Sequence, residues 1–87
     1  MSSDAALRQQ AEHHADRQEW AQATACFEAL RARHPGDADV LLQLSYIASL
    51  AGQHRAAHAH ALAAAQAAPS RPDEVAQLVS RLRTFNE

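Results

Sequence analysis

Lysine is absent from this chain, and all eight basic residues are arginine. Against ten acidic residues, they leave a formal net charge of only −2. That balance argues against nucleic acid as a partner, because holding a phosphate backbone takes concentrated positive charge. Cysteine is limited to Cys26, which excludes an intrachain disulfide and fits a reducing compartment. No apolar run approaches the ~18 residues that mark a membrane span, so no membrane partner is expected. The opening Met1-Ser2-Ser3-Asp4 has neither a basic n-region nor an apolar h-region, so no signal peptide is visible and a cytoplasmic location is expected. Large apolar side chains are scarce: Leu, Ile, Val and Phe together number 15. Such scarcity signals disorder only when net charge is high. A Gly-rich phosphate loop, a nucleophile elbow and a paired-carboxylate constellation are all missing, so neither catalysis nor a cofactor is expected.

What is present is alanine, which supplies over half of the 47% apolar content and favours helix. In 87 residues it points to one small, thin, all-helical domain with closely approaching helices. The two prolines Pro35 and Pro69 stand 34 residues apart and close similar stretches. One runs from Gln18-Glu19-Trp20-Ala21 through Phe27 and Leu30 to Pro35. The other runs from Gly52-Gln53-His54-Arg55 through Ala61 and Ala64 to Pro69. A fixed interval of about 34 residues marks a helix-turn-helix repeat.

Five helices follow from the pattern. The first opens after Ser2 and Ser3, which offer an N-cap, with Asp4 at the positive helix end. It runs to about Arg17 with a thin apolar stripe at Leu7, Ala11 and His14 or Ala15. The second carries Trp20, Ala23, Phe27 and Leu30 at helical spacing. After the breaker Arg33-His34-Pro35-Gly36-Asp37, Asp37 caps a third helix with Val40, Leu41, Leu44, Ile47, Ala48 and Ala51 on its apolar side. Gly52 ends it. The fourth, about 53–67, is apolar nearly all round, which predicts cover on two sides. The fifth begins at Ser70-Arg71-Pro72-Asp73, with Ser70 as N-cap, and presents Val75, Leu78, Val79, Leu82 and Phe85. It should pack on the third and fourth.

At these residues the chain resembles the tetratricopeptide repeat (TPR) family, whose unit is 34 residues in two antiparallel helices. The resemblance covers nearly all of residues 1–87: a first repeat at about 4–37, a second at about 38–71, and a capping or half-repeat helix at about 72–86. Leu7, Leu41 and Leu44 fall on large first-helix positions, Ala11 and Ser45 on the glycine position, Ala23 and Ala57 on the second-helix small position, and Phe27 on the aromatic one. Gln10, His14, Ala48 and Ala61 depart from the pattern.

The resemblance implies an all-α superhelix whose first helices line a concave groove for a protein or peptide. By register the groove shows Arg8, Gln9, Glu12 and Asp16, then Asp39, Leu42, Gln43, Tyr46 and Ser49, and finally Asp73 and Gln77. Leu42 and Tyr46 are the expected apolar contacts, with Arg8, Glu12, Gln43 and Ser49 setting register. One subclass grips a C-terminal carboxylate with a Lys and Asn clamp. The clamp positions here, Arg8, Glu12, Gln43, Asp73 and Gln77, include acids, which disfavours that subclass. The expected function is therefore a non-catalytic, adaptor-like binding module. An alternative is an accessory segment of a larger bacterial enzyme, such as a sulfotransferase-like protein, which the Ala- and Arg-rich style resembles. Self-association through the outer side of the fifth helix, with Phe85, is a third expectation.

Histidine is abundant, at six. His54 and His58 stand at i, i+4 on one helix, a spacing that can serve a metal. His60 points away, since each helical residue turns about 100°, so no metal site is expected. His58 reads as solvent-facing and Cys26 as a structural thiol.

Overall fold

The computed structural model describes residues 3–86. Among them the chain forms five helices and no strand: α1 (Asp4–Asp16), α2 (Trp20–Arg33), α3 (Ala38–Leu50), α4 (His54–Gln66) and α5 (Pro72–Asn86). Helices α1, α3 and α5 start at residues 4, 38 and 72, and α2 and α4 at 20 and 54. The backbone therefore repeats at the same 34-residue interval as the prolines. Each helix packs chiefly on its neighbours along the chain.

The boundaries have local causes. The Ser3 hydroxyl accepts a hydrogen bond from the Ala6 N–H at 3.1 Å. The Asp37 carboxylate accepts from Asp39 and Val40. Both satisfy N–H groups that a helix start leaves without partners. Ser2 lies outside the described residues. At α5 the expectation is corrected: the helix starts with Pro72, whose fixed φ suits a first position. Ser70 lies before the cap position, and its hydroxyl donates to Asp39 Oδ1 at 3.2 Å.

The α1–α2 and α3–α4 turns share one geometry. Gln18 and Gly52, 34 residues apart, both take positive φ, 61° and 80°. The N–H groups of Gln18 and Glu19 donate to the carbonyls of Ala15 and His14. Those of Gly52 and Gln53 donate to Ser49 and Ala48, the same pair of bonds one repeat later. Ala68, at φ 54°, takes the left-handed conformation just after α4.

Two apolar clusters meet at α3. Leu7 and Ala11 of α1 join Ala23, Phe27 and Leu30 of α2 and Val40, Leu44 and Ile47 of α3. Leu41, Leu42 and Ala48 of α3 join Ala57, Ala61 and Ala64 of α4 and Val75, Leu78, Val79 and Leu82 of α5. Phe27 is buried as expected, while Trp20 is half-buried at the cluster's edge. Eight of the 13 residues of α3 are buried, so α3 is the helix covered on nearly all sides. Helix α4 is covered on two sides as expected, by α3 and by α5, although its only fully buried residues are Ala57, Ala61 and Ala64 and Leu62 is 40% exposed. The methyl groups of α4 let α3 and α5 approach, with Ala56 and Ala63 half-buried against the same core, and Arg55, Ala59, Leu62 and Ala65 meet solvent.

Helices cross closely where both partners are small. Ala11 and Ala23 are fully buried, and so are their equivalents Ser45 and Ala57. There the Ser45 hydroxyl donates to the Ala57 carbonyl at 2.7 Å. A buried hydroxyl thus finds a partner, as low polarity demands.

Candidate functional site

On α3, Asp39, Gln43, Tyr46 and Leu50 lie at i, i+4, i+7 and i+11, which places them along one helical stripe. Asp39 is exposed, Gln43 and Tyr46 are half-buried, and Leu50 is 65% exposed. Ser49 sits half-buried beside them. Leu42 is different: it is only 3% exposed and belongs to the core shared with α4 and α5. Its expected role as an apolar groove contact is therefore corrected. Helix α5 covers that side of α3, so Leu42 spends its surface on the chain's own fold. Leu50 is the apolar group α3 presents instead, and the sequence reading missed it. Its i+4 spacing from Tyr46 was the available signal.

On α1, Arg8 is half-buried while Gln9, Glu12 and Asp16 are exposed. On α5, Asp73 and Gln77 are exposed. Three of these residues coincide in register. Gln9, Gln43 and Gln77 are each the sixth residue of α1, α3 and α5, at the 34-residue interval.

Hydrogen bonds tie the start of α5 to α3. The Tyr46 hydroxyl donates to Glu74 Oε1, and Arg71 lies 3.4 Å from the other Glu74 oxygen. Burial, and then the Glu74 carboxylate, raise the Tyr46 phenol above its ordinary pKa. The Tyr46 bond, assisted by Arg71, outweighs partial desolvation and lowers Glu74. With Ser70 on Asp39, the Tyr46 hydroxyl and the Asp39 carboxylate already serve the fold. What Tyr46 offers a partner is the exposed part of its ring. Arg8, Gln9, Glu12, Asp16, Gln43, Ser49 and Gln77 remain to meet a partner.

The histidines do not converge. Among the described residues no group of three or more His, Cys, Asp or Glu side chains could hold a metal ion. The His54 ring stacks on Phe85, with centroids 4.3 Å apart and planes 8° from parallel. His58 is half-buried and its Nε2 is enclosed without a hydrogen bond, which corrects its reading as solvent-facing. Burial lowers the pKa of His60, with Glu28 opposing and Arg31 assisting. Cys26 is half-buried against the α1–α3 core. No pocket forms among the described residues, and none of their helices is long and apolar enough to cross a membrane.

The outer side of α5 carries Ala76, Gln77, Ser80, Arg81, Arg83 and Thr84, all exposed. Apart from Phe85 it offers little apolar surface to a second copy. No protein-family model, no curated protein and no solved structure matches this chain.

Proposed function

We propose that this chain is a tetratricopeptide-like, adaptor-type module that binds an extended segment of another protein along the face formed by α1, α3 and α5. It works by non-covalent binding rather than catalysis. The observation that carries this reading is the ladder of Gln9, Gln43 and Gln77, one amide at the same register of each of those helices. A carboxamide both donates and accepts, as each peptide unit does. Amides repeated along the face would thus each meet a peptide unit of an extended strand, whatever its side chains. Leu50 and the Tyr46 ring add apolar contact.

The test is selection from a phage-displayed library of random twelve-residue peptides, followed by fluorescence anisotropy on the winners. Replacing Gln9, Gln43 and Gln77 together with Ala should weaken binding at least tenfold while the helical circular dichroism stays unchanged. Absence of any enriched peptide, or unchanged affinity in the triple variant, would remove the proposal.

A further inference from the structure

Charge is unevenly divided along this chain. Residues 1–39 carry seven carboxylates against four arginines, whereas residues 40–87 carry three, Asp73, Glu74 and Glu87, against Arg55, Arg71, Arg81 and Arg83. Asp73 and Glu74 sit in the first turn of α5. No carboxylate lies elsewhere on α3 beyond Asp39, on α4, or on the described part of α5 beyond Glu74. Among the described residues, the end of the α3–α5 seam where both helices finish is therefore basic, while Asp16 and Glu19 stand at the matching end of α1.

The same end carries two conspicuously exposed apolar groups. Leu50, the last residue of α3, is 65% exposed, and Phe85, in the last turn of α5, is 62% exposed. They are brought to one end because the α3–α4 turn carries the chain from Leu50 to His54, and His54 stacks on Phe85. Arg55 follows His54, and Arg81 and Arg83 precede Phe85. All three arginines are exposed, and none forms an ion pair with a described residue.

The helix ends do not cancel this charge. The C-terminus of α3 contributes about half a negative charge, but the N-terminus of α4 faces it across the turn with about half a positive one. Gln53 provides no side-chain cap there, so that positive end is open. The C-terminus of α5 adds about half a negative charge and Glu87, next in the sequence, a full one, against three full positive ones.

We infer that the bound segment is acidic and amphipathic, with its carboxylates at Arg55 and at Arg81, which stands one turn before Phe85 on the same side of α5, and an apolar side chain on Leu50 and Phe85. This rests on the proposed binding along α1, α3 and α5, and it adds both the partner's chemistry and its direction. The opposite end of the α3–α5 seam holds Asp39, Asp73 and Glu74, which repel carboxylates. The acidic part of the ligand therefore lies at the Leu50–Phe85 end. A hydrophobic surface ringed by cations favours this ligand over a purely apolar one, because the charges steer its approach and fix its register.

The phage selection described above reads this directly. The enriched twelve-residue peptides should carry net negative charge and at least one Leu, Ile, Phe or Trp. Their affinity should fall at least tenfold between 50 and 300 mM NaCl. The double variant Arg55→Glu, Arg81→Glu should lose at least tenfold, and Leu50→Ser at least threefold. These positions are exposed, so circular dichroism should remain that of the parent.

Enriched peptides that are neutral or basic overturn the inference. So does binding indifferent to the arginine variants but lost in the glutamine triple variant, and that result leaves the proposed function standing. Loss of enrichment altogether removes both. A salt-sensitive dimer in sedimentation, abolished by Arg81→Glu, would assign the patch to a second copy of this chain and also overturn the inference.

Discussion

The first hairpin, α1–α2, and the second, α3–α4, share a backbone and almost nothing else. Their turns use the same hydrogen bonds, and their crossings put small residues at the same two positions, Ala11 and Ala23 in the first and Ser45 and Ala57 in the second. In the first hairpin α2 supplies large side chains, Phe27 and Leu30, and the equivalents in α4 are Ala61 and Ala64. The first is also fastened by charge. Asp4 bonds to Arg33 at 2.9 Å and to His34, and Glu19 bonds to His14 at 3.0 Å. The equivalents in the second are Ala38, Ala67, Ala68, Gln53 and Ala48. Volume missing from α4 arrives from α5 instead, as Val75, Leu78, Val79 and Leu82. The repeat thus requires the turn and the small crossing residues. It leaves open which helix brings the bulk.

That contrast can be broken or sharpened by substitution. The largest effect should come from Phe27→Ala, which empties the first core and should cost about 3–5 kcal/mol in urea unfolding. Placing the first hairpin's residue in the second, Ala61→Phe, should overpack against α3 and α5 and cost about 1–3 kcal/mol. Exchanging the turn residues should move stability in opposite directions. Gly52→Gln should destabilise and Gln18→Gly stabilise, each by about 1 kcal/mol, because only glycine adopts positive φ without strain. Space does not enter, since a Cβ on Gly52 meets nothing within 4 Å. Ser45→Ala removes one buried hydrogen bond, leaves the Ala57 carbonyl without it, and should cost about 1 kcal/mol.

The smallest effect is electrostatic and confined to low pH. The Asp4 carboxylate is held below the usual range by bonds to His34 and Arg33, and Glu19 by its bond to His14 and the charge of Arg17. Both pKa values are lowered by folding, so the unfolded chain takes up these protons first as pH falls. Their contribution is present above the ordinary carboxylate pKa and is lost as pH falls from there through the lowered value of the folded chain. Asp4 is exposed and Glu19 only half-buried at the surface, so solvent screens both and the contribution is small. The pair Asp4→Asn, Glu19→Gln should flatten the acid limb of a stability–pH curve. Glu74, lowered by Tyr46, should leave a residual slope that Tyr46→Phe reduces.

Much of this fold is written in local pattern. Alanine content and apolar spacing indicate the helices, Asp37 and Gly52 mark the ends of α3, and the proline interval fixes the repeat. Gln18 hides its turn because its positive φ is imposed by the hairpin and not by its own preference. Leu42 looks like a groove residue on α3 alone, and only the arrival of α5 covers it. The Tyr46–Glu74 bond and the His54–Phe85 stack join residues 28 and 31 positions apart. No periodicity encodes such pairings. On the candidate face, register shows Gln9, Gln43 and Gln77, but the exposure of Leu50 and Phe85 emerges only when every helix has chosen its neighbours.

The central claim is that the face of α1, α3 and α5 binds an extended segment. Backbone NMR on the labelled protein, titrated with the best selected peptide, tests it most directly. The account predicts shifts concentrated at Gln9, Gln43, Tyr46, Leu50 and Gln77, extending to Arg81 and Phe85. Shifts confined to the exposed side of α2 and α4, at Ala21, Ala25, Ala59 and Leu62, would contradict it.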